Sequence, residues 1–134
     1  MVDAFVGVSS GRAAALQQAG QPVPAPQRIR ALIDTGASGS CVDPMIVTAL
    51  GIQPTGTVPV CTPTTGMTPV VCNQYDVSIL IPAPKGLPFQ IATTAVTEHE
   101  FFAVQGFHAL IGRDILSRCL FIYNGQISLF TLAY

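Results

Sequence analysis

The sequence predicts a mainly β domain, a closed or sandwich-like sheet with two or three short helices. Three observations carry that expectation. Many short runs rich in Val, Ile, Thr and Phe are bounded by Gly and Pro, as strands are bounded by turns. The few helix-like stretches do not alternate with strands in a βαβ pattern, and no repeat is present. Asn124-Gly125 lies between Leu120–Tyr123 and Gln126–Phe130, a strong short-range hairpin signal.

The bulk composition narrows the function classes. With 134 residues the chain reads as one domain, 1–134, large enough for its own core. Apolar residues make up 49 % and charged residues only 10 %, too few to cover a small monomer. Exposed apolar surface on that scale marks an interface, so an oligomer is expected. The net charge of −1, with six basic residues that form no run, argues against nucleic acid as a partner. No apolar run has the length of a membrane span, and Met1-Val2-Asp3 does not open a leader, so the chain reads as cytoplasmic or as a domain of a longer protein. Cys41, Cys61, Cys72 and Cys119 lack the close pairing of a zinc site and read as buried or half-buried thiols. No metal and no cofactor is implied.

Taken in order, residues 3–9 alternate as a short strand, broken at Ser9-Ser10-Gly11. Arg12–Ala19 suits two helical turns stopped by Gly20, and Pro22, Pro24 and Pro26 force extended chain. About 10–26 is thus expected to be a surface insert. Ile29–Ile33 is an apolar strand that delivers Asp34 into a Thr35-Gly36 turn, followed by the small residues Ala37, Ser38, Gly39 and Ser40. Cys41-Val42 is a brief strand. Asp43 caps a short helix over Met45–Leu50, with Pro44 at its first position and Gly51 after it.

Pro54–Tyr75 reads as a β-hairpin with its tip near Gly66-Met67, which sets Cys61 opposite Cys72. Such a pair is within reach of a disulfide, but free thiols are expected in a reducing cytosol. Asp76–Ile81 and Leu87–Val96 are strands, Glu98-His99-Glu100 a solvated corner, and Phe101–Val104 a further strand. His108–Gly112 leads into a helix at Arg113–Arg118, with Asp114 favourably placed in its first turn.

These pieces together resemble the retropepsin-like aspartic proteases, the single-domain relatives of pepsin. Ala31–Ser38 is similar to their catalytic loop. The hairpin near Gly66, running into Asn73-Gln74-Tyr75-Asp76, is similar to their flap, and Ala109–Leu116 to the segment that braces the loop. The likeness covers about Arg28 to Phe130. It implies a retropepsin-like barrel with a flap, closer to the cellular and bacterial branch, that cleaves extended peptides without a cofactor.

Such hydrolysis needs one group to deprotonate water while another protonates the carbonyl oxygen. Two adjacent carboxyls sharing a proton do both. The chain has one Asp-Thr-Gly and no second copy, so the second carboxyl must come from a second chain. The resemblance therefore implies a homodimer with Asp34, Thr35 and Gly36 as the catalytic group. Ala37, Ser38, Thr64, Thr65, Gly66 and Met67 would contact substrate, with Leu110, Ile111, Gly112 and Arg113 as support. Ser38 stands where many retroviral enzymes have an acid that pairs with the arginine, so Arg113 needs another partner. Two alternatives remain: a catalytically silent dimerisation or peptide-binding module of the same fold, and a metal-dependent hydrolase using Glu98, His99 and His108. Poor spacing weakens the second.

Overall fold

Alternation in the first strand sets the inside of the molecule. In β1 (Val2–Val8), Ala4, Val6 and Val8 are buried while Val2 and Phe5 are only partly covered. The computed structural model describes residues 1–61, 66–101 and 103–134, with Ala103 as backbone only. After β1 come α1 (Ser10–Gln18), β2 (Gln27–Ile33), β3 (Cys41–Val42), α2 (Pro44–Ala49) and β4 (Gly56–Val60). The chain continues through β5 (Val70–Ile81), β6 (Phe89–Glu98), a 3-10 turn (Ala103–Gln105), β7 (Ala109–Ile111), α3 (Arg113–Leu116), β8 (Leu120–Asn124) and β9 (Leu129–Ala133).

Strands lie in the order β1-β2-β7-β3-β6-β5-β4, and β5 also pairs with β1. Six strands thus close on themselves as a barrel, and β4 stands outside it as the free arm of a hairpin with β5. The predicted mainly β, closed architecture with short helices is observed. Ala4, Val6, Ala31, Val77, Val96 and Ile111 fill the interior, and α2 and α3 cap it with Ile46, Val47 and Ile115. Asp43 caps α2 as expected, accepting from Met45 N at 2.9 Å through Oδ1, and its Oδ2 accepts from Phe101 N at 3.1 Å.

Residues 10–26 lie largely on the surface, but Leu16 of α1 is buried, and Ser10 Oγ and Thr93 Oγ1 are 3.0 Å apart. Ser9 caps this helix through Arg12 N.

Four local expectations are corrected. Val58 pairs with Cys72 and Val60 with Val70, a register offset from the one expected with the tip near Gly66-Met67, while residues 62–65 lie outside the described residues. Cys61 therefore does not face Cys72, and all four cysteines are free. Cys61 is exposed rather than buried or half-buried. The strand expected at Phe101–Val104 is not formed: a 3-10 turn begins at Ala103, and Phe102 lies outside the described residues. Asn124-Gly125 does not form a two-residue turn, because Asn124 pairs with Leu129 across a longer loop. There the Asn124 side chain accepts from Gln126 N at 3.0 Å, and Ser128 takes a left-handed conformation (φ 52°). Among the described residues no helix is long and apolar enough to cross a membrane.

Candidate active site

The site begins with three strands. β2 and β7 run parallel, Ala31 beside Ala109 and Ile33 beside Ile111. β3 returns antiparallel on the other side of β7, with Cys41 opposite Leu110. β7 therefore lies between the two ends of the loop 34–40, and the loop must arch over its far end. Asp34 N donates to Ile111 O at 3.0 Å, which fixes the start of the arch.

Within the loop the Asp34 carboxylate organises its own turn. Oδ1 accepts from Gly36 N at 2.9 Å and Ala37 N at 3.2 Å. No described residue bonds Oδ2. A Cβ at position 36 would stand 3.2 Å from Oδ1, tighter than ordinary contact, so glycine lets the amide reach the carboxylate. Asp34 is half-buried, whereas Thr35, Gly36, Ser38 and Gly39 are exposed. Within one chain the carboxylate stands at the rim of an open surface. Two cavities among the described residues lie elsewhere, one beside Phe5, Pro26 and Leu80, the other beside Arg12, Ile52 and Asp76.

The end of the loop is tied to the α3 turn. Ser40 N and Ser40 Oγ donate to the two oxygens of Asp114, at 3.0 and 2.8 Å, and Ser40 Oγ accepts from Gly112 N at 3.0 Å. Arg113 N donates to Ala37 O at 3.0 Å. Gly112 approaches so closely that a Cβ there would lie 2.6 Å from Gly39 O. The expected supports Leu110, Ile111, Gly112 and Arg113 are thus brought to the loop, Arg113 through its backbone. Its side chain is exposed and makes no ion pair among the described residues, where Arg28–Asp3 at 3.2 Å is the only one. Sequence reasoning missed Ser40 and Asp114 as the polar tie. A carboxylate two residues after Gly112, on the only segment matched to the loop, was the available signal.

Among the flap residues, Gly66 and Met67 are exposed beyond the paired part of the hairpin, and Thr64 and Thr65 lie outside the described residues. Glu98 is not in a solvated corner. It is half-buried, and its carboxylate accepts from Asn73 Nδ2 at 2.6 Å and Tyr75 Oη at 2.9 Å. His99 stacks edge-on to Phe101, and His108 Nδ1 accepts from Arg30 N at 3.3 Å, so the three groups of the metal reading are engaged separately. No cluster of three metal-ligating side chains forms among the described residues.

Cys41 sits behind the loop, 9 % exposed. Burial, with a smaller contribution from the nearby Asp34 charge, pushes its thiol up to about 11. A thiol so protonated is a packing group, not a nucleophile. The folded state holds this proton more tightly than the unfolded chain. The stability it contributes is therefore complete below pH 9.0 and is lost as pH rises from there to about 11. Thermal melts of the wild type and Cys41→Ala from pH 7 to 11 check this. The difference between them should fall by about 2–3 kcal/mol across the alkaline limb.

No protein-family model matches the sequence, and no curated protein matches it.

Proposed function

We propose that the chain is one half of an aspartic endopeptidase, a retropepsin-like homodimer that cleaves peptide bonds in extended polypeptides. The observation that carries the reading is the Asp34 carboxylate. It sits on a loop braced at both ends, with Oδ1 held by two amides and no described residue bonded to Oδ2. In this reading the carboxylate, half-buried beside an exposed loop, faces a group outside its own chain. The Asp34 of a second copy, related by a two-fold axis, supplies the matching group.

In that dimer the two carboxyls share one proton, since like charges side by side resist double ionisation. The ionised member takes a proton from water as the water attacks the peptide carbonyl. The protonated member gives its proton to the carbonyl oxygen. The proton steps belong to the pair, not to either chain. Gly36 leaves room for the substrate backbone, and the β4–β5 hairpin covers the bound segment.

The C-terminal hairpin supports the dimer. Residues 119–134 carry no Asp, Glu, Lys, Arg or His. β8 and β9 form their own two-stranded sheet whose outer edges pair with no other strand among the described residues, and Leu120, Ile122 and Leu129 are 54–61 % exposed. Soluble proteins protect such edges with charge or cover. Ile122→Lys with Leu129→Lys should weaken the dimer by about 100-fold or more. Sedimentation over a concentration series reads this, and circular dichroism confirms retained strand content. A wild type that is monomeric yet cleaves peptide would overturn the dimer.

A silent peptide-binding module of the same fold is the second reading, favoured by the Arg113 side chain, which makes no ion pair among the described residues. A hydroxyl-bearing transition-state mimic separates the two. An enzyme binds it far more tightly than the matching peptide, whereas a module binds both alike.

A further inference from the structure

We infer that Glu98 is a positioning residue: its carboxylate fastens the root of the β4–β5 hairpin to the barrel and so sets how that hairpin is held. The inference rests on the reading of the hairpin as a substrate cover.

Three facts of placement lead there. The first is where Glu98 lies in the sheet. Thr97 pairs with Gln74 of β5 on one side and Cys41 of β3 on the other, and Glu98 itself pairs with Val42. Glu98 therefore stands at the junction between the hairpin strand and the strand leaving the Asp34 loop. The second is what it holds. Asn73 and Tyr75 are alternate residues of β5 with side chains on one face, and each donates to a different oxygen of the same carboxylate. The third is how burial fades along β5 toward the hairpin tip. Cys72 is half-buried, and Val71 and Val70 are exposed, as are Gly56, Thr57 and Pro59 on the other arm. Asn73 is thus among the last residues of β5 tied to the barrel before the hairpin leaves it.

An amide and a phenol bound to one carboxylate form a short, charge-assisted clamp. Tyr75 is 6 % exposed, so its hydroxyl would lose the Glu98 carboxylate as acceptor if Glu98 were shortened. Burial first, and the Glu98 carboxylate next, raise the Tyr75 phenol above its ordinary value, so it donates throughout the neutral range. The Asp34 loop has its own carboxylate tie, Asp114 to Ser40, on the opposite side of β3. Each moving part of the proposed site is thereby fixed by its own acid. Loosening one need not loosen the other.

The test uses the full chain with Glu98→Ala, Glu98→Gln and Tyr75→Phe. Amide hydrogen exchange is followed at residues 56–61 and 70–73, and separately at Asp34 and Ile111. Glu98→Ala should speed exchange in the hairpin by about tenfold and leave the Asp34 amide unchanged. Tyr75→Phe should give a smaller increase. Glu98→Gln, which still accepts one hydrogen bond, should recover most of the protection. With a peptide substrate, KM should rise about three- to tenfold in Glu98→Ala while kcat stays within about twofold, because the cover is displaced and the acids are not. Unchanged hairpin exchange in folded Glu98→Ala, or equal acceleration at Asp34, overturns the inference. Should Glu98→Ala not fold, Tyr75→Phe and Asn73→Ala keep the carboxylate and remove one donor each, and hairpin exchange unchanged in both overturns it equally. Absence of cleavage in the wild type would strike the protease reading alone, since the exchange measurement does not depend on catalysis.

Discussion

Asp34→Asn is expected to lower kcat for peptide cleavage by about 10³-fold or more while leaving fold and dimer in place. The substitution is chosen for what it retains. An asparagine oxygen can still accept from Gly36 N and Ala37 N, the two bonds that shape the turn around Asp34. The backbone bond from residue 34 to Ile111 O is untouched. What disappears is the ionisable group, twice per dimer, so neither chain can take a proton from water. Loss of the charge also removes any repulsion across the two-fold axis, so the dimer should be at least as tight. Cleavage of an apolar fluorogenic peptide gives the rate, and sedimentation gives the assembly. Activity within about tenfold of the wild type would remove Asp34 from the chemistry. If that residual activity vanished with a chelator, the metal-dependent reading would replace it.

The parts of this site that were legible in the sequence are those whose constraints are local. Ile29–Ile33 is apolar and β-branched enough to be a strand, and Asp34-Thr35-Gly36 marks where it must turn. Ala109–Ile111 and Gly112 form another such run, and the two lie side by side in the barrel. The hairpin existed where expected, but its register did not match. Residues 56–73 are rich in Thr, Val and Pro, and in β4 only Val58 and Val60 are even half-buried, so a slip there exposes little apolar surface and Cys61 misses its expected partner. Ser40 and Asp114 are 74 positions apart, and Glu98 is 25 from Asn73. Nothing local to Glu98-His99-Glu100 distinguishes a solvated acid from one that receives two hydrogen bonds. Only the pairing of β5 with β6, which sets Asn73 and Tyr75 beside Glu98, makes that distinction. The polar ties missed from the sequence are thus long-range, while the ends of the loop were found because each lies on its own strand.

Gly112→Ala is expected to be the most damaging single methyl in the molecule. At this position φ is −91°, an ordinary value for any residue, so backbone conformation is not what requires glycine. Space is. A Cβ would lie 2.6 Å from the Gly39 oxygen, 2.7 Å from its carbonyl carbon and 3.1 Å from the Ala37 oxygen. All three are backbone atoms of the Asp34 loop, and none can swing aside as a side chain tip would. The loop is also held where it is by Gly112 N to Ser40 Oγ, Arg113 N to Ala37 O and the Asp114 carboxylate on Ser40. Relieving the collision means stretching those bonds, at a cost of about 2–4 kcal/mol, which lowers the melting temperature by about 10 °C for a chain of this size. Gly39→Ala is the matched control, because a Cβ at that position meets nothing within 4 Å. It adds a methyl to the same loop and should stay within about 0.5 kcal/mol of the wild type. Thermal or urea unfolding of the two variants side by side reads the difference directly. Because Gly112 moves the loop rather than the carboxylate itself, its variant should also lose cleavage at temperatures where it is still folded. Were the two alanines equally tolerated, the α3 turn would not be the rigid seat of Asp34, and the bracing argued from it would fail.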